Sequence, residues 1–174
     1  MLLLPLPTLC RVLVKLLMSM NKRVYLVSGG FINIIAPLAN HLGIPQERVY
    51  ANTLIFDSNG EFAGVDTKQP TCRSGGKSKV VGMVKNTMSK VVMIGDGATD
   101  MEAAPPADTF IGFGGNVVRE KVRAGAPWYV YDFQDLIEEL VLPTVAGMTR
   151  AKRLALQYVN GVDRERSDQK LQEE

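Results

Sequence analysis

Three short clusters in this 174-residue sequence bring together residue types that can do chemistry. The most specific is Gly95-Asp96-Gly97-Ala98-Thr99-Asp100, which follows the apolar run Val91-Val92-Met93-Ile94. Asp96 falls at a strand tip, and Asp100 on the first turn of the next helix faces the same way. Two carboxylates with little nitrogen or sulfur nearby suit a hard, oxygen-seeking cation, Mg²⁺ above all. The structural alternative is an Asp-Gly turn followed by a helix-capping Asp. The second cluster, Ser28-Gly29-Gly30, ends a strand and opens a helix. A hydroxyl and two glycine amides at a helix N-terminus suit a phosphate or carboxylate, because unpaired N–H groups and the dipole favour an anion. A plain serine N-cap would read the same way. The third, Ser74-Gly75-Gly76-Lys77, places a lysine at the first helical position, where it can neutralise a phosphate and ease approach of a nucleophile. Its glycine spacing is not that of a P-loop, and a solvated surface lysine is the plainer alternative.

Other candidates carry less. His41, the single histidine, sits before Gly43 as a helix C-terminal cap, and no Ser-His-Asp or Cys-His arrangement builds around it. Gly112-Phe113-Gly114-Gly115-Asn116 follows a strand and reads either as a pocket floor or as a turn needing positive φ. Trp128 and Tyr129 read as core. Cys10 and Cys72 are too few for a metal cluster or a disulfide framework and fit a reducing compartment. Twenty basic against eighteen acidic residues give a net charge of +2, too small a bias to imply nucleic acid or an anionic membrane as partner.

The elements that must hold these clusters alternate. Strands are expected at Val24–Val27, Val49–Phe56, Glu61–Val65, Val91–Ile94, Thr109–Ile111 and Trp128–Tyr131. Helices are expected at Phe31–Leu42, shortened or kinked by Pro37, at Lys77–Met88, after Gly97, around Val117–Arg123 and at Phe133–Leu142. Asp57-Ser58-Asn59-Gly60 makes a hairpin of the second and third strands. Such alternation predicts an α/β fold, an open and mostly parallel Rossmann-like sheet flanked by helices, with ligands beyond the carboxyl ends of its strands. At the start, Leu9, Val12, Leu13, Leu16, Leu17 and Met20 recur at helical spacing. The segment is too charged and too interrupted by Pro5 and Pro7 to cross a membrane. A secretory signal does not fit, and a core-facing helix is preferred to a mitochondrial presequence. The pattern stops at Pro143. Residues 1–142 are read as the folded core, and residues 143–174, with eleven charged residues after Met148, as a mobile tail.

Together, KRVYLVSGGFINIIAPLANHLGIP, VYANTLIFDSNGEFAGVDTKQPT, SGGKSKVV, VVMIGDGATDMEAAPPADTFIGFGGNVVREKV and WYVYDF resemble the phosphoserine phosphatase family of the haloacid dehalogenase superfamily, from about Leu9 to Leu142. The resemblance implies a cytoplasmic enzyme. It would hydrolyse O-phosphoserine to serine and phosphate, the last step of serine synthesis, through an aspartyl-phosphate with Mg²⁺. It implies that Ser28, Gly29 and Gly30 hold the phosphate, that Lys77 pairs with it and with the nucleophile, that Asp96 ligates Mg²⁺, that Thr99 touches substrate, and that Asp100 steadies the metal shell.

The family begins with a central strand bearing Asp-x-Asp, whose first Asp attacks phosphorus, and carries a helical cap that reads the serine. This sequence has no Asp or Glu before Glu47 and no Asp-x-Asp anywhere. The expected sheet is therefore incomplete at its first strand, falling into two fragments or closing up, and the chain is expected to be inactive by itself. A non-catalytic phosphate- or metal-binding form that regulates or pairs with the full-length enzyme is the alternative, and a homodimer is a further option. Asp100 is the nearest substitute nucleophile, but it is needed around the metal.

Overall fold

The computed structural model describes residues 8–141. The apolar segment before Thr8 and the tail expected at residues 143–174, with the boundary at Leu142, lie outside the described residues. The chain opens with α1 (Thr8–Ser19), whose Val12, Leu13, Val14 and Leu16 are all buried. Three consecutive buried positions span more than one helical face, and the helix uses the extra width. Val12, Leu13 and Leu16 join one apolar cluster and Val14 another.

Strand β1 (Leu26–Phe31) leads to α2 (Ile32–Leu42), which runs through Pro37 and closes on Gly43 at φ 73°. Expected as one strand, Val49–Phe56 divides at Thr53. Its first part, β2 (Val49–Asn52), pairs parallel with β1, while β3 (Leu54–Phe56) forms the hairpin with β4 (Phe62–Val65). The Asp57 carboxylate accepts from the N–H groups of Asn59 and Glu61 at 2.9 Å each, and Gly60 takes φ 83°, so the turn forms where the Asn-Gly step places it. Helix α3 (Gly76–Lys85) precedes β5 (Val92–Gly95), the short α4 (Ala98–Met101), β6 (Thr109–Phe113), α5 (Glu120–Gly125), β7 (Trp128–Val130) and α6 (Phe133–Leu140).

Among the described residues the parallel strands form two separate sheets, β1–β2 and β5–β6–β7. They do not close against each other. The three-stranded sheet is covered on both faces. Ile111 and Val130 pack against α1 and α6 with Leu136 and Ile137, while Phe110 and Met93 pack the other way against Val81 of α3 and Val122 of α5. On one face of the β1–β2 sheet, Leu26 and Val49 meet Val14 of α1 and Ala39 and Leu42 of α2, and α3 also packs on β1. Since side chains alternate across a strand, Tyr50 and its register partner Val27 lie on the opposite face. Helix α1 therefore packs against both sheets.

No described helix is long and apolar enough to cross a membrane.

Candidate active site

The best-built part of the site lies at the carboxyl end of β5. Asp100 is buried, with 5% of its surface exposed, and both carboxylate oxygens are engaged. Oδ1 receives Lys77 Nζ at 2.6 Å and Oδ2 receives the Gly97 N–H at 3.0 Å. The second bond ties Asp100 back across the first turn of α4, at the helix end that favours an anion. Lys77 is the second residue of α3 rather than the first, and a cation at the positive end of a helix is unfavourable by itself. Its charge is matched by Asp100, which makes the plain surface-lysine alternative wrong for this residue: its side chain is only 20% exposed.

The glycines around this pair are set by close approach. A Cβ on Gly95 would stand 2.4 Å from the Asp100 Cγ, and one on Gly76 would stand 2.1 Å from the Pro70 carbonyl oxygen. Gly75, just before, takes φ 73°. In Gly112–Asn116 no glycine has positive φ. Gly112 and Gly114 instead make room for the Tyr129 side chain, which would lie 2.4 Å and 2.6 Å from an added Cβ, so the segment is not a turn that needs positive φ.

Asp96 behaves differently from Asp100. It is half-exposed, and its carboxylate is ion-paired with the Arg119 guanidinium, which also donates to the Asp96 carbonyl at 3.2 Å. Arg119 stands at the N-cap of α5, twenty-three residues away. Thr99 sits inside α4, on the first turn beside Asp100, with its side chain exposed.

Ser28-Gly29-Gly30 corrects its expected setting. The three residues lie within β1, and the N-cap of α2 is Phe31, with no side-chain cap bond. Ser28 is thus not a helix cap; its Oγ accepts from the Gly30 N–H at 3.0 Å, closing a local turn at the register shift between Val27 and Phe31. The strand reaches this turn because β2 lies beside it, ending at Asn52. The Asn52 side chain donates to the Gly29 carbonyl at 2.8 Å and accepts from the Thr71 hydroxyl at 2.8 Å. Both Asn52 and Thr71 are buried. Thr71 belongs to the short turn Pro70–Cys72, which packs on β1, β2 and α3. A chain of contacts therefore runs from Gly29 through Asn52 and Thr71 to Gly76, Lys77, Asp100 and Gly97, and it links all three clusters. Asn52, Thr71 and Arg119 were not legible as site residues. An Asn at a strand end and a Thr in a loop carry no distinguishing signal until their positions in space are known.

As a donor set for Mg²⁺, the residues fit an ion held mainly by water and phosphate oxygens, which is how this cation is commonly bound. Asp96 offers an accessible carboxylate at a strand tip. Among the described residues no three carboxylate, histidine or cysteine side chains converge on one point.

The lysine–carboxylate pair and the accessible Asp96 beyond β5, and the serine-glycine turn of β1, stand at the carboxyl ends of parallel strands, the edge at which open α/β folds bind their ligands. A family model described as haloacid dehalogenase-like hydrolase matches residues 2–108, and the chain belongs to that family. It is 54% identical over 132 residues to phosphoserine phosphatase of Rattus norvegicus, covering 75% of this chain and 59% of that protein. It is 48% identical over 132 residues to chloroplastic phosphoserine phosphatase of Arabidopsis thaliana, covering 74% of this chain and 45% of that one. A phosphoserine phosphohydrolase-like protein from Francisella tularensis superposes with a TM-score of 0.68 at 29% identity, over 74% of this chain and 60% of the other. The chain thus spans about three-fifths of the rat relative's length.

Proposed function

We propose that this chain carries the phosphate- and metal-holding side of a phosphoserine phosphatase, acting on O-phosphoserine and water to give serine and phosphate. The observation that carries the reading is the Lys77–Asp100 pair at 2.6 Å, bonded in turn to Gly97 beside Asp96, within a chain that is 54% identical to the rat enzyme over 132 residues. Lys77 would offset the charge of the phosphoryl oxygens. Ser28, Gly29 and Gly30 would donate to them, with Thr99 at the substrate's other side. Asp96 would hold Mg²⁺, released from Arg119, and Asp100 would keep Lys77 and the Gly97 loop in place. When bound, the ion would supply charge neutralisation between a carboxylate and a phosphate dianion. Residues 1–142 would form this core and residues 143–174 a tail, in a cytoplasmic protein.

By itself the chain is inactive in this reading. Hydrolysis through an aspartyl-phosphate needs a free carboxylate aimed at phosphorus, and the sequence holds no Asp-x-Asp. Asp100 does not substitute, since both of its oxygens are committed to Lys77 and Gly97. A second reading is a non-catalytic phosphate-binding form that pairs with the full-length enzyme or with itself. It is favoured by the division of the parallel strands into two sheets, each with an outer strand unpaired on one side among the described residues.

The test is phosphate release from O-phosphoserine by the purified chain with Mg²⁺, beside Asp96→Ala, together with calorimetric titration of inorganic phosphate. The expected result is no release above the Asp96→Ala control, with saturable phosphate binding that Lys77→Ala weakens at least about tenfold. Release that disappears in the control would contradict inactivity. Phosphate binding indifferent to Lys77→Ala would overturn the site.

A further inference from the structure

At the opposite edge of the β1–β2 sheet from the Ser28 turn lies an open cavity of about 340 Å³. It lies between that sheet and α3, which packs on β1. Tyr25 and Tyr50 form its floor, and the last turns of α3 close it through Met83 and Val84. Arg23 and Arg48 enter from the segments leading into the two strands, Arg48 half-buried, with Glu47 beside them. Two guanidinium groups against one carboxylate leave the lining with a charge of +1, and among the described residues neither arginine is ion-paired. The volume is that of a small-molecule site.

We infer that this cavity is a binding site for a small aromatic anion. The arginine forks suit a carboxylate or phosphate head. The phenol rings give a planar body something to stack on, and their hydroxyls supply further donors. Amino-edge placement separates it from the carboxyl-edge site, where open α/β sheets bind their ligands. The two sites share α3: Lys77 stands on its first turn, and Met83 and Val84 lie toward its end. This inference does not depend on the phosphatase reading.

The experiment is titration of the full 174-residue chain with phenyl phosphate and, separately, with inorganic phosphate, read by calorimetry and by amide chemical shifts. Phenyl phosphate is expected to fill two sites. Lys77→Ala abolishes one of them, and the double variant Arg23→Gln/Arg48→Gln weakens the other at least about tenfold, as expected for a pair of charge-assisted contacts. Inorganic phosphate, lacking the ring, fills only the Lys77 site. Amides of Tyr50 and Thr87 shift with phenyl phosphate in the Lys77→Ala protein. Arg48→Lys keeps the charge but loses the fork, and it weakens binding by a smaller factor should the double variant prove unstable. Absence of any phenyl phosphate site that the arginine variants weaken overturns the inference. A wild-type chain that binds phenyl phosphate at the arginine site but has no Lys77-dependent site counts against the phosphatase reading and leaves this one standing.

Discussion

The two parallel sheets carry the two parts of the candidate site and are built to different standards. Strand β6 buries Phe110, Ile111 and Gly112 between helices on both sides, whereas no residue of β1 is buried and Gly29, Gly30 and Phe31 are exposed. Parallel strands are normally covered on both faces. The β5–β6–β7 sheet meets that condition and fixes Asp100 and Lys77 by direct bonds. The β1–β2 sheet has an apolar cluster on one face and α3 with an open cavity on the other, and its serine-glycine turn depends on the Asn52 side chain. The comparison teaches that a site can be half preorganised. The Lys77–Asp100 pair is set by a finished core, while the serine-glycine turn is held by a single polar relay.

The difference can be broken most severely at α1, which serves both sheets. Leu16→Ala removes a side chain 4% exposed in the larger cluster and is expected to cost about 3 kcal/mol in chemical denaturation, as large-to-small core changes do. A loss below ~1 kcal/mol would mean that α1 is not integral to the core. Next comes Lys77→Ala, which leaves Asp100 buried without its cation. Unpairing a buried charge is strongly destabilising, by several kcal/mol at the upper end, and Lys77's partial exposure places this change at about 2 kcal/mol. Lys77→Arg should recover part of that stability.

Asn52→Ala sharpens the comparison by acting on the weaker half alone. It strips partners from the Gly29 carbonyl and the Thr71 hydroxyl and is expected to cost about 1–2 kcal/mol, with faster amide exchange in residues 26–31 and none in β6. The smallest effect concerns acid. Asp108 accepts from Lys85 Nζ and from the Val91 N–H at 2.7 Å, and these bonds, the Lys85 side chain first, hold its carboxyl below the ordinary value. A lowered folded-state value gives stability that is complete above the ordinary Asp range and is lost as pH falls from there through the lowered folded-state value. Asp108→Asn should therefore flatten the acid limb of a melting-temperature profile and leave the neutral region little changed.

Much of the fold was legible because it rests on local signals. Apolar periodicity placed α1 and α2, Asn59-Gly60 placed the hairpin, and Gly43 ended α2. The division of Val49–Phe56 was not legible, since Thr53 is as strand-compatible as its neighbours and only pairing separates the two parts. Lys77 and Asp100 could be singled out by their motifs, but the bond between them is a long-range fact. The Ser28 turn was misplaced by three residues because glycines after a strand read as a loop, and here the ladder with β2 carries through them. Arg119 gave no signal; a lone arginine before a short helix is ordinary until Asp96 is found against it.

The most direct test of a half-preorganised site is hydrogen exchange of β1 and β6 amides, with and without inorganic phosphate. Residues 26–31 should exchange about tenfold or more faster than residues 109–113 in the free protein, since local opening follows local packing. Phosphate should slow the β1 amides and leave β6 unchanged, and Lys77→Ala should remove the effect. Equal protection of the two strands, or a β1 that phosphate leaves unprotected, would contradict the account.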